Sequence, residues 1–257
     1  MDISSSGSGR LDVGQVGGCS GVALDNGGCL TGPYCVSTGG CGAATMTDSR
    51  DSKVYNIVDI GSQCWMAQDL NVGNQIVGAV PGQTNNAVIE KFCNNNSAGH
   101  CLTYGGLYTW NELMAYGAAD NTNGPGPQGI CPTGWHVPTD NEWKCLEMSL
   151  GMSQANADAT GVRGANAGGE LKQTGTSLWA APNTGATNSS GFTSIPGGGW
   201  RSNISSWYLP GGWGMYWTAS TSGGNPIYRW TSFANGDITR QPLSDPNFGF
   251  AVRCVKD

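Results

Sequence analysis

Short runs of β-branched and aromatic residues, broken by Gly, Pro, Asn and Ser, predict strands along most of the chain. The first two predicted strands cover residues 54–60 and 63–67, with Gly61-Ser62 as the turn between them. In the second half, Asn235-Gly236 is typical of a two-residue hairpin turn. Further strands are predicted at residues 192–195, 215–220, 226–233, 237–241 and 248–255.

Two segments have the three- and four-residue spacing of apolar positions that is typical of helices. The first, at residues 106–114, places Leu107, Trp110 and Met114 on one face. The second begins with a capping box, in which Glu142 follows the hydroxyl of Thr139 by three residues. Its apolar face consists of Trp143, Leu146 and Leu150, and Gly151 ends it. The chain is therefore predicted to have an α+β fold.

The beginning of the chain differs from the rest. Residues 1–45 hold four cysteines among Gly, Ser and Thr and lack a periodic apolar pattern. A segment this short cannot build a useful hydrophobic core. We therefore expect a Cys-rich N-terminal stalk or extension at residues 1–45 and one domain at residues 46–257. The polar start is typical of a cut made after a natural leader or anchor.

Composition narrows the class of protein. Charged residues make up only 12% of the 257 residues, about half the usual fraction of roughly 25%. The 42 glycines and 10 tryptophans indicate a folded, loop-rich domain. The net charge of −6 comes without any basic run, which argues against nucleic acid as a partner. No apolar stretch approaches the roughly 20 residues of a membrane span, so contact with a membrane would need an anchor absent from this chain.

The chain holds ten cysteines, an even number that fits complete pairing in an oxidising compartment. Zinc sites usually need close Cys-x-x-Cys pairs, and the sequence has none of these and only two histidines. Disulfides are therefore expected rather than a metal. This places the protein outside the cell, on a cell surface or on a virion surface.

Five phrases of the sequence occur in an order that points to one family. They are residues 48–55 (DSRDSKVY), 60–71 (IGSQCWMAQDLN), 104–110 (YGGLYTW), 131–143 (CPTGWHVPTDNEW) and 249–257 (GFAVRCVKD). Over residues 47–257 the chain closely resembles the Fibrobacter succinogenes major paralogous domain family. The resemblance implies a C-type-lectin-like fold, with a two-helix scaffold, terminal strands that meet, and a long loop-rich β region that binds a ligand.

The same fold is similar to the variable proteins of diversity-generating retroelements, in which reverse transcription randomises adenine positions near the 3′ end of the gene. In those proteins the varied residues lie on the binding face, and a fixed C-terminal strand follows. The resemblance implies that residues 199–247 are the corresponding block here, bracketed by residues 195–198 and 249–253.

Within that block, aromatic residues alternate with small polar ones, as they do in paratopes. Trp and Tyr are also common at binding hot spots. The candidate ligand-binding residues are Trp200, Ser202, Asn203, Ser205, Trp207, Tyr208, Trp213, Met215, Tyr216, Asn225, Tyr228, Trp230, Ser232, Phe233 and Asn235. We expect at least half of the aromatic residues to be exposed and Trp217 to fill the core. Those flanked by Gly and Pro are expected on the surface, namely Trp200, Trp207, Tyr208 and Trp213.

The resemblance also implies a set of disulfides. Cys131 would clasp the region of the second helix to the last strand through Cys254, and a bridge between Cys93 and Cys101 would staple a loop. Two cysteines that depart together from the family pattern are assigned to each other, namely Cys64 and Cys145. The remaining four are expected to pair among themselves in an order left open, namely Cys19, Cys29, Cys35 and Cys41.

Catalytic patterns are missing from the sequence. It has neither a Gly-x-Ser-x-Gly nucleophile elbow nor a His-Glu-x-x-His zinc motif. His136 is expected to have a structural hydrogen-bonding role, and His100 to be solvated. Glu142 and Glu147 are interpreted as a helix cap and part of a solvated face.

Two activities of similar folds are disfavoured by particular residues. Formylglycine-generating enzymes use a pair of cysteines late in the chain, whereas only Cys254 lies beyond Cys145 here. Calcium-dependent lectins use a Glu-Pro-Asn or Gln-Pro-Asp loop with a Trp-Asn-Asp strand, and residues 241–243 and 245–247 only echo that loop. Too few carboxylates converge for the roughly six to eight oxygens that calcium prefers. No cofactor is predicted, and a structural calcium in the turn at residues 48–51 is left open.

The predicted function is a surface-displayed protein that binds a ligand and is not an enzyme, more narrowly the variable protein of a diversity-generating retroelement. Its partner would be a protein or glycan on another cell or virus. Two alternatives stay open. One is a cell-surface adhesion or structural module without diversified positions, and the other is a calcium-dependent carbohydrate-binding lectin.

Overall fold

The computed structural model describes residues 21–23, 29–31, 34–35, 40–80, 82–164 and 166–257, with the backbone alone for the first two ranges. The described part consists mostly of strands and loops with five short helices, which confirms the predicted α+β class.

The strands are β1 Gly21–Ala23, β2 Cys29–Thr31, β3 Thr45–Thr47, β4 Val54–Ile60, β5 Gln63–Met66, β6 Asn74–Ile76, β7 Glu90–Phe92, β8 Trp135–His136, β9 Gly161–Arg163, β10 Gly199–Arg201, β11 Ser206–Tyr208, β12 Trp213–Ser222, β13 Asn225–Ser232, β14 Ile238–Pro242 and β15 Val255–Lys256. The helices are α1 Ala98–Tyr104, α2 Trp110–Leu113, α3 Asp140–Ser149, α4 Gln154–Asp158 and α5 Ala167–Leu171. Two 3-10 turns cover Asn94–Asn96 and Ser202–Ile204.

The early and late strands of the domain meet in a five-stranded sheet of order β3-β4-β5-β15-β8. Strands β4 and β5 form the antiparallel hairpin predicted from the sequence. The last strand, β15, lies between β5 and β8, where Val255 is paired with both Trp65 and His136. Strand β15 therefore lies in the interior of the sheet rather than on its edge.

A second sheet, of order β12-β13-β14-β9, contains most of the block predicted to bind a ligand. Its three long strands confirm the strands predicted there to within two residues at each end. The connection between β13 and β14 is longer than the two-residue turn predicted at Asn235-Gly236, because it spans residues 233–237. The buried Lys172 holds this wider loop in place. Its Nζ donates at 2.8 Å each to the carbonyl oxygens of Thr184, Ser232 and Asn235.

Two of the predicted strands are not regular strands in the structure. Residues 192–195 make one isolated bridge. Residues 248–254 contact three different segments through single bridges at Gly249, Phe250 and Ala251, before β15 begins. The prediction was wrong here because a ladder needs one continuous partner, whereas this buried segment changes partner at almost every residue.

Arg253 joins these two irregular segments. Its guanidinium is fully buried and forms an ion pair with Asp69. It also donates to the backbone carbonyl oxygens of Phe192 and Thr193, and its Cζ lies 4.3 Å from the centre of the Phe192 ring. The cation thus replaces the ladder hydrogen bonds that a strand pair would have supplied.

Helix α3 begins as predicted, whereas the other predicted helix is much shorter. The capping box is complete, since Thr139 and Glu142 each accept from the backbone nitrogen of the other. The helix predicted at residues 106–114 is reduced to α2, because the residues before it are extended and bridge to Phe92 and Phe250. The apolar spacing there reflects burial of an extended chain followed by one helical turn.

A network of buried charges joins α3 to three strands of the second sheet. Arg229 of β13 donates to Asp140 and Glu147, at 2.7 Å each. Arg163 of β9 binds Glu147 through both terminal nitrogens, at 2.6 and 2.7 Å. Arg240 of β14 pairs with Asp140 at 2.6 Å. The cations hold the pKa of Asp140 well below its usual range despite the opposing effect of burial.

The assignment of Glu147 to a solvated helix face is therefore wrong. Its side chain is fully buried and lies between two guanidinium groups. Helical spacing alone does not reveal this, because the Arg residues that pair with Glu147 come from distant strands. Almost every side chain from the first two turns of α3 is buried, including the charged ones.

Four disulfides are present in the described part of the chain, and two of them were predicted. These two join Cys93 to Cys101 and Cys131 to Cys254. The other two join Cys35 to Cys145 and Cys41 to Cys64.

The predicted Cys64–Cys145 bridge is thus wrong, and so is the pairing of Cys35 and Cys41 within their own segment. Cys64 lies on β5 and Cys145 on α3, and each meets a cysteine of the N-terminal segment instead. Two covalent bonds therefore tie Cys35 and Cys41 to the domain. Cys19 and the side chain of Cys29 lie outside the described residues.

His136 has the structural role that was predicted for it. Its Nδ1 lies 2.7 Å from Asp257 Oδ1, and its Nε2 lies 2.7 Å from Glu142 Oε1. Burial alone would lower the pKa of His136, but the hydrogen bonds and charges of these two carboxylates outweigh it and raise the pKa above its ordinary value. The imidazole thereby connects Glu142, in the first turn of α3, to Asp257, the residue that follows β15.

We expect Arg229→Met to lower the free energy of unfolding by about 3 kcal/mol, because it leaves two buried carboxylates with one cation less. Urea denaturation followed by circular dichroism measures this. Lys53→Met removes a cation from a partly exposed pair with Asp51, so it should cost less than about 1 kcal/mol. Equal losses in the two variants would contradict the role assigned to the buried network.

The raised pKa of His136 predicts a specific pH dependence. Protonated His136 is favoured in the folded state, so its contribution is complete below the unfolded pKa of about 6.5 and is lost as the pH rises through the higher folded pKa. Urea midpoints measured from about pH 5 to 8 should fall with pH in the wild type. His136→Gln should flatten this part of the curve, whereas His100→Gln, which leaves the hydrogen bonds of His136 to Asp257 and Glu142 intact, should keep it.

Candidate ligand-binding face

The hairpin of β10 and β11 has an inner side that carries two indoles. Trp200 and Trp207 are cross-strand partners whose ring centroids lie 4.8 Å apart. Trp200 also packs on the buried Phe92, with centroids 5.8 Å apart. Gly78 covers Trp207 so closely that a Cβ there would lie 2.5 Å from the indole.

The expectation that Trp200 lies on the surface is therefore wrong, since only 2% of it is exposed. The run of Gly residues that precedes Trp200 suggested an exposed turn. Instead they allow the hairpin to approach its neighbours closely, because a Cβ at Gly199 would meet the Phe250 ring at 2.9 Å. Trp207 is partly buried in the same cluster.

The outer side of the hairpin begins a chain of ring contacts that reaches the second sheet. The guanidinium of Arg201 lies 4.6 Å from the centre of the Tyr208 ring. Tyr208 meets the indole of Trp213 edge to face, with centroids 5.6 Å apart. All three side chains are partly exposed. A cation over an aromatic face is a favourable contact that also limits the motion of both groups.

Strands β12 and β13 continue this surface. Met215 is paired with Trp230 and Trp217 with Tyr228, so these four side chains share one side of the sheet with Trp213. Trp230 is partly exposed, whereas Met215, Trp217 and Tyr228 are buried beneath it.

We refer to the partly exposed members of this side as the aromatic face: Arg201, Tyr208, Trp213, Trp230 and Gln241. Gln241 joins it from β14 by donating to the Tyr228 hydroxyl at 2.8 Å. Burial of Tyr228 raises its pKa to about 12, so its hydroxyl stays neutral at physiological pH. The aromatic face therefore presents rings, one guanidinium and one amide.

Trp217 lies in the core, as predicted. Its ring packs at a tilt against Phe250 with centroids 4.6 Å apart, and its Nε1 donates to the Tyr108 carbonyl oxygen at 2.9 Å. The adjacent Tyr216 points to the other side of β12, where its hydroxyl lies 2.8 Å from Ser194 Oγ. Since Tyr216 is also buried, β12 passes between two cores and contributes side chains to both.

The structure brings together only part of the predicted set. Tyr208, Trp213 and Trp230 lie in one surface, with Met215 and Tyr228 beneath. Ser232 is the cross-strand partner of Trp213 on the same side of the sheet, but it is buried. The remaining predicted residues lie elsewhere. Ser202 is buried and donates to Asp245, Asn203 and Ser205 are exposed at the tip of the hairpin, Asn225 lies at one end of β13, and Phe233 and Asn235 follow its other end.

Fewer aromatic side chains are open to solvent than expected. Of the nine in the block, four are buried, namely Trp200, Tyr216, Trp217 and Tyr228. The other five are partly exposed, and none is fully exposed. Sequence reasoning missed Arg201 and Gln241, although strand alternation with the inward Trp200 could have pointed to Arg201.

The turn considered for a structural calcium has its acidic side chains paired with cations. The Asp48 carboxylate accepts from the Arg50 side chain at 2.7 and 2.8 Å. Asp51 pairs with Lys53 at 2.7 Å. Elsewhere in the described residues, the carboxylate of Asp59 lies beside Cys41 and Cys64, but these two cysteines are bonded to each other.

Comparison with protein families matches residues 58–256 to the Fibrobacter succinogenes major domain. No curated protein and no solved structure matches the chain. Among the described residues, no helix is long and apolar enough to cross a membrane. The family match and the four disulfides together indicate a secreted domain.

Proposed function

This chain belongs to the Fibrobacter succinogenes major domain family, and we propose that it is a surface-displayed, non-enzymatic protein that binds a ligand through its aromatic face. The observation that carries the proposal is that Tyr208, Trp213 and Trp230 are all partly exposed on one side of the β10–β11 hairpin and the adjoining sheet, with Tyr208 and Trp213 in ring contact. Soluble proteins rarely leave such aromatic surface uncovered without an interaction that uses it.

The support beneath the aromatic face favours binding. Trp230 lies on the same strand as Arg229, whose guanidinium is locked between two carboxylates under the sheet. Trp213 and Tyr208 restrain each other by ring contact. Side chains that are already ordered lose little conformational entropy when a ligand arrives, so more of the contact energy appears as affinity.

The chemistry of the aromatic face suits a protein or glycan on another cell or virus. Aromatic rings provide apolar contact area for either partner. Arg201 and Gln241 add hydrogen-bond donors at its edge. A catalytic role has less support, because the buried histidine, His136, is held by two carboxylates rather than facing a cleft.

The proposal extends to the C-type-lectin-like fold and to diversification. In favour of the fold are the meeting of early and late strands in one sheet and the loop-rich second half. Diversified positions would have to be ones whose side chains are not buried in the core. Residues such as Trp200 and Trp217 fill the two cores, so substitution there would cost several kcal/mol, whereas Tyr208, Trp213 and Trp230 could change at lower cost.

Genomic sequencing around the gene tests the diversification proposal. We expect a reverse transcriptase gene and a near-copy of the 3′ end of this gene nearby, with differences between copy and gene confined to adenines. The changed codons should fall in the exposed part of the block and spare Trp200 and Trp217. A missing copy, or differences at other bases, would reject diversification while leaving ligand binding untouched.

Binding itself can be tested with printed arrays of glycans and of extracellular proteins. The wild type should bind at least one spot, and Trp213→Ala or Trp230→Ala should weaken that binding by about 2 kcal/mol, roughly thirtyfold, because each removes a central aromatic anchor. Surface plasmon resonance on the identified spot gives the affinities.

Tyr104→Ala is the matched control, since Tyr104 is a partly exposed aromatic residue on α1 outside the aromatic face. It should bind as the wild type does. Unchanged affinity in both tryptophan variants would rule the aromatic face out as the binding surface. Loss of wild-type binding in EDTA would favour a calcium-dependent lectin instead.

A further inference from the structure

One buried carboxylate lacks the basic partner that the others have. Six carboxylates of the described residues are buried, namely Asp48, Asp69, Glu112, Asp140, Glu142 and Glu147. Five of them pair with a basic side chain, in order Arg50, Arg253, Arg229, His136 and Arg163. Within the described part of the chain, the hydrogen bonds of Glu112 come from neutral groups only.

The surroundings of Glu112 leave its charge uncompensated. Only 2% of the residue is exposed. Its carboxylate accepts from the Glu90 backbone nitrogen and from the Tyr116 hydroxyl, at 2.8 Å each. A carboxylate can accept about four hydrogen bonds, so two positions remain. Burial, together with the nearby charge of Glu90, raises the pKa of Glu112.

Glu112 also lines a pocket of about 160 Å³. The other walls are mostly aliphatic, namely Ala87, Val88, Ile89, Ala115 and Ile130. A cavity of roughly 150 Å³ is enough for one benzene molecule. The pocket therefore has room for a small ligand with an apolar body, and it has a single anionic group in its wall.

The backbone around this pocket is held in an uncommon conformation. Ala87, Ala115 and Tyr116 all line it and have φ values of 62°, 48° and 60°. This is the left-handed region, which disfavours side chains with a Cβ. Such residues tend to cluster where a protein binds a ligand, and here they lie on two separate segments that face one pocket.

We propose that this pocket binds a primary alkylammonium group, with the nitrogen at the Glu112 carboxylate and the carbon chain against Val88, Ile89 and Ile130. The ammonium ion supplies the missing positive charge and three donors for the unused acceptor positions. The aliphatic walls offer too few oxygen atoms for a divalent metal, whereas they match a short alkyl chain. The site is separate from the aromatic face and does not depend on its function.

The group could come from a free amine or from a lysine side chain of a partner protein. Titrations monitored by ¹H–¹⁵N NMR spectra should use n-butylammonium chloride, n-butanol and Nα-acetyl-lysine N-methylamide at constant ionic strength. We expect saturable shifts near Glu112 with butylammonium and at least about tenfold weaker binding of the neutral, similarly shaped butanol. Binding of the lysine derivative as tight as that of butylammonium identifies a lysine as the source, and binding of butylammonium alone identifies a free amine.

Glu112→Gln should weaken butylammonium binding by at least about tenfold, because it removes the charge and keeps an acceptor for the Glu90 nitrogen. Glu170→Gln, the same change in a partly exposed carboxylate of α5, should leave binding unchanged. If Glu112→Gln fails to fold, Val88→Trp narrows the pocket from a position that is 47% exposed and should abolish binding. Equal affinity for butanol and butylammonium, or a folded Glu112→Gln variant with wild-type affinity, would overturn the proposal.

Discussion

Three carboxylates and four cations form a network of ion pairs around helix α3. The position of the second sheet against this helix depends on that network. Arg163, Arg229 and Arg240 come from three different strands and all end on Asp140 or Glu147. Lys144 adds a contact with Asp158 on α4 at 2.8 Å. Removing charges from water costs several kcal/mol per ion unless each is paired with good geometry. The strands are therefore held in a register that keeps every guanidinium on its carboxylate.

The same requirement governs the other buried ions. Arg253 is surrounded by Asp69 and backbone carbonyl oxygens, in a place where the sequence predicted regular strands. Lys172 has carbonyl oxygens as its acceptors, and desolvation lowers its pKa to about 8. The chain has few charged residues, and many of them are buried. The surface is correspondingly poor in charge, which leaves aromatic and small polar groups to make its contacts.

Two disulfides add covalent links between the N-terminal segment and this scaffold. Cys145 lies on the helix that carries the ion network, and Cys64 lies on the strand next to β15. Their partners come from the N-terminal segment, so the segment is bonded to both the helix and the first sheet. Oxidative conditions thus stabilise the scaffold on which the aromatic face is displayed. The face itself contains no cysteine and depends on ring packing and strand pairing.

The sequence by itself determined the α+β class, the positions of the strands at residues 54–66 and of β12, β13 and β14 in the second sheet, the capping box of α3 and the core position of Trp217. These features follow from local composition, alternation and spacing, which act between near neighbours. Only the tertiary structure decided that Glu147 is buried, that Trp200 faces inward and that Cys35 and Cys41 bond to the domain. Each of these outcomes depends on a residue that is distant in the sequence. The local pattern around the residue itself does not specify which distant side chain it will contact.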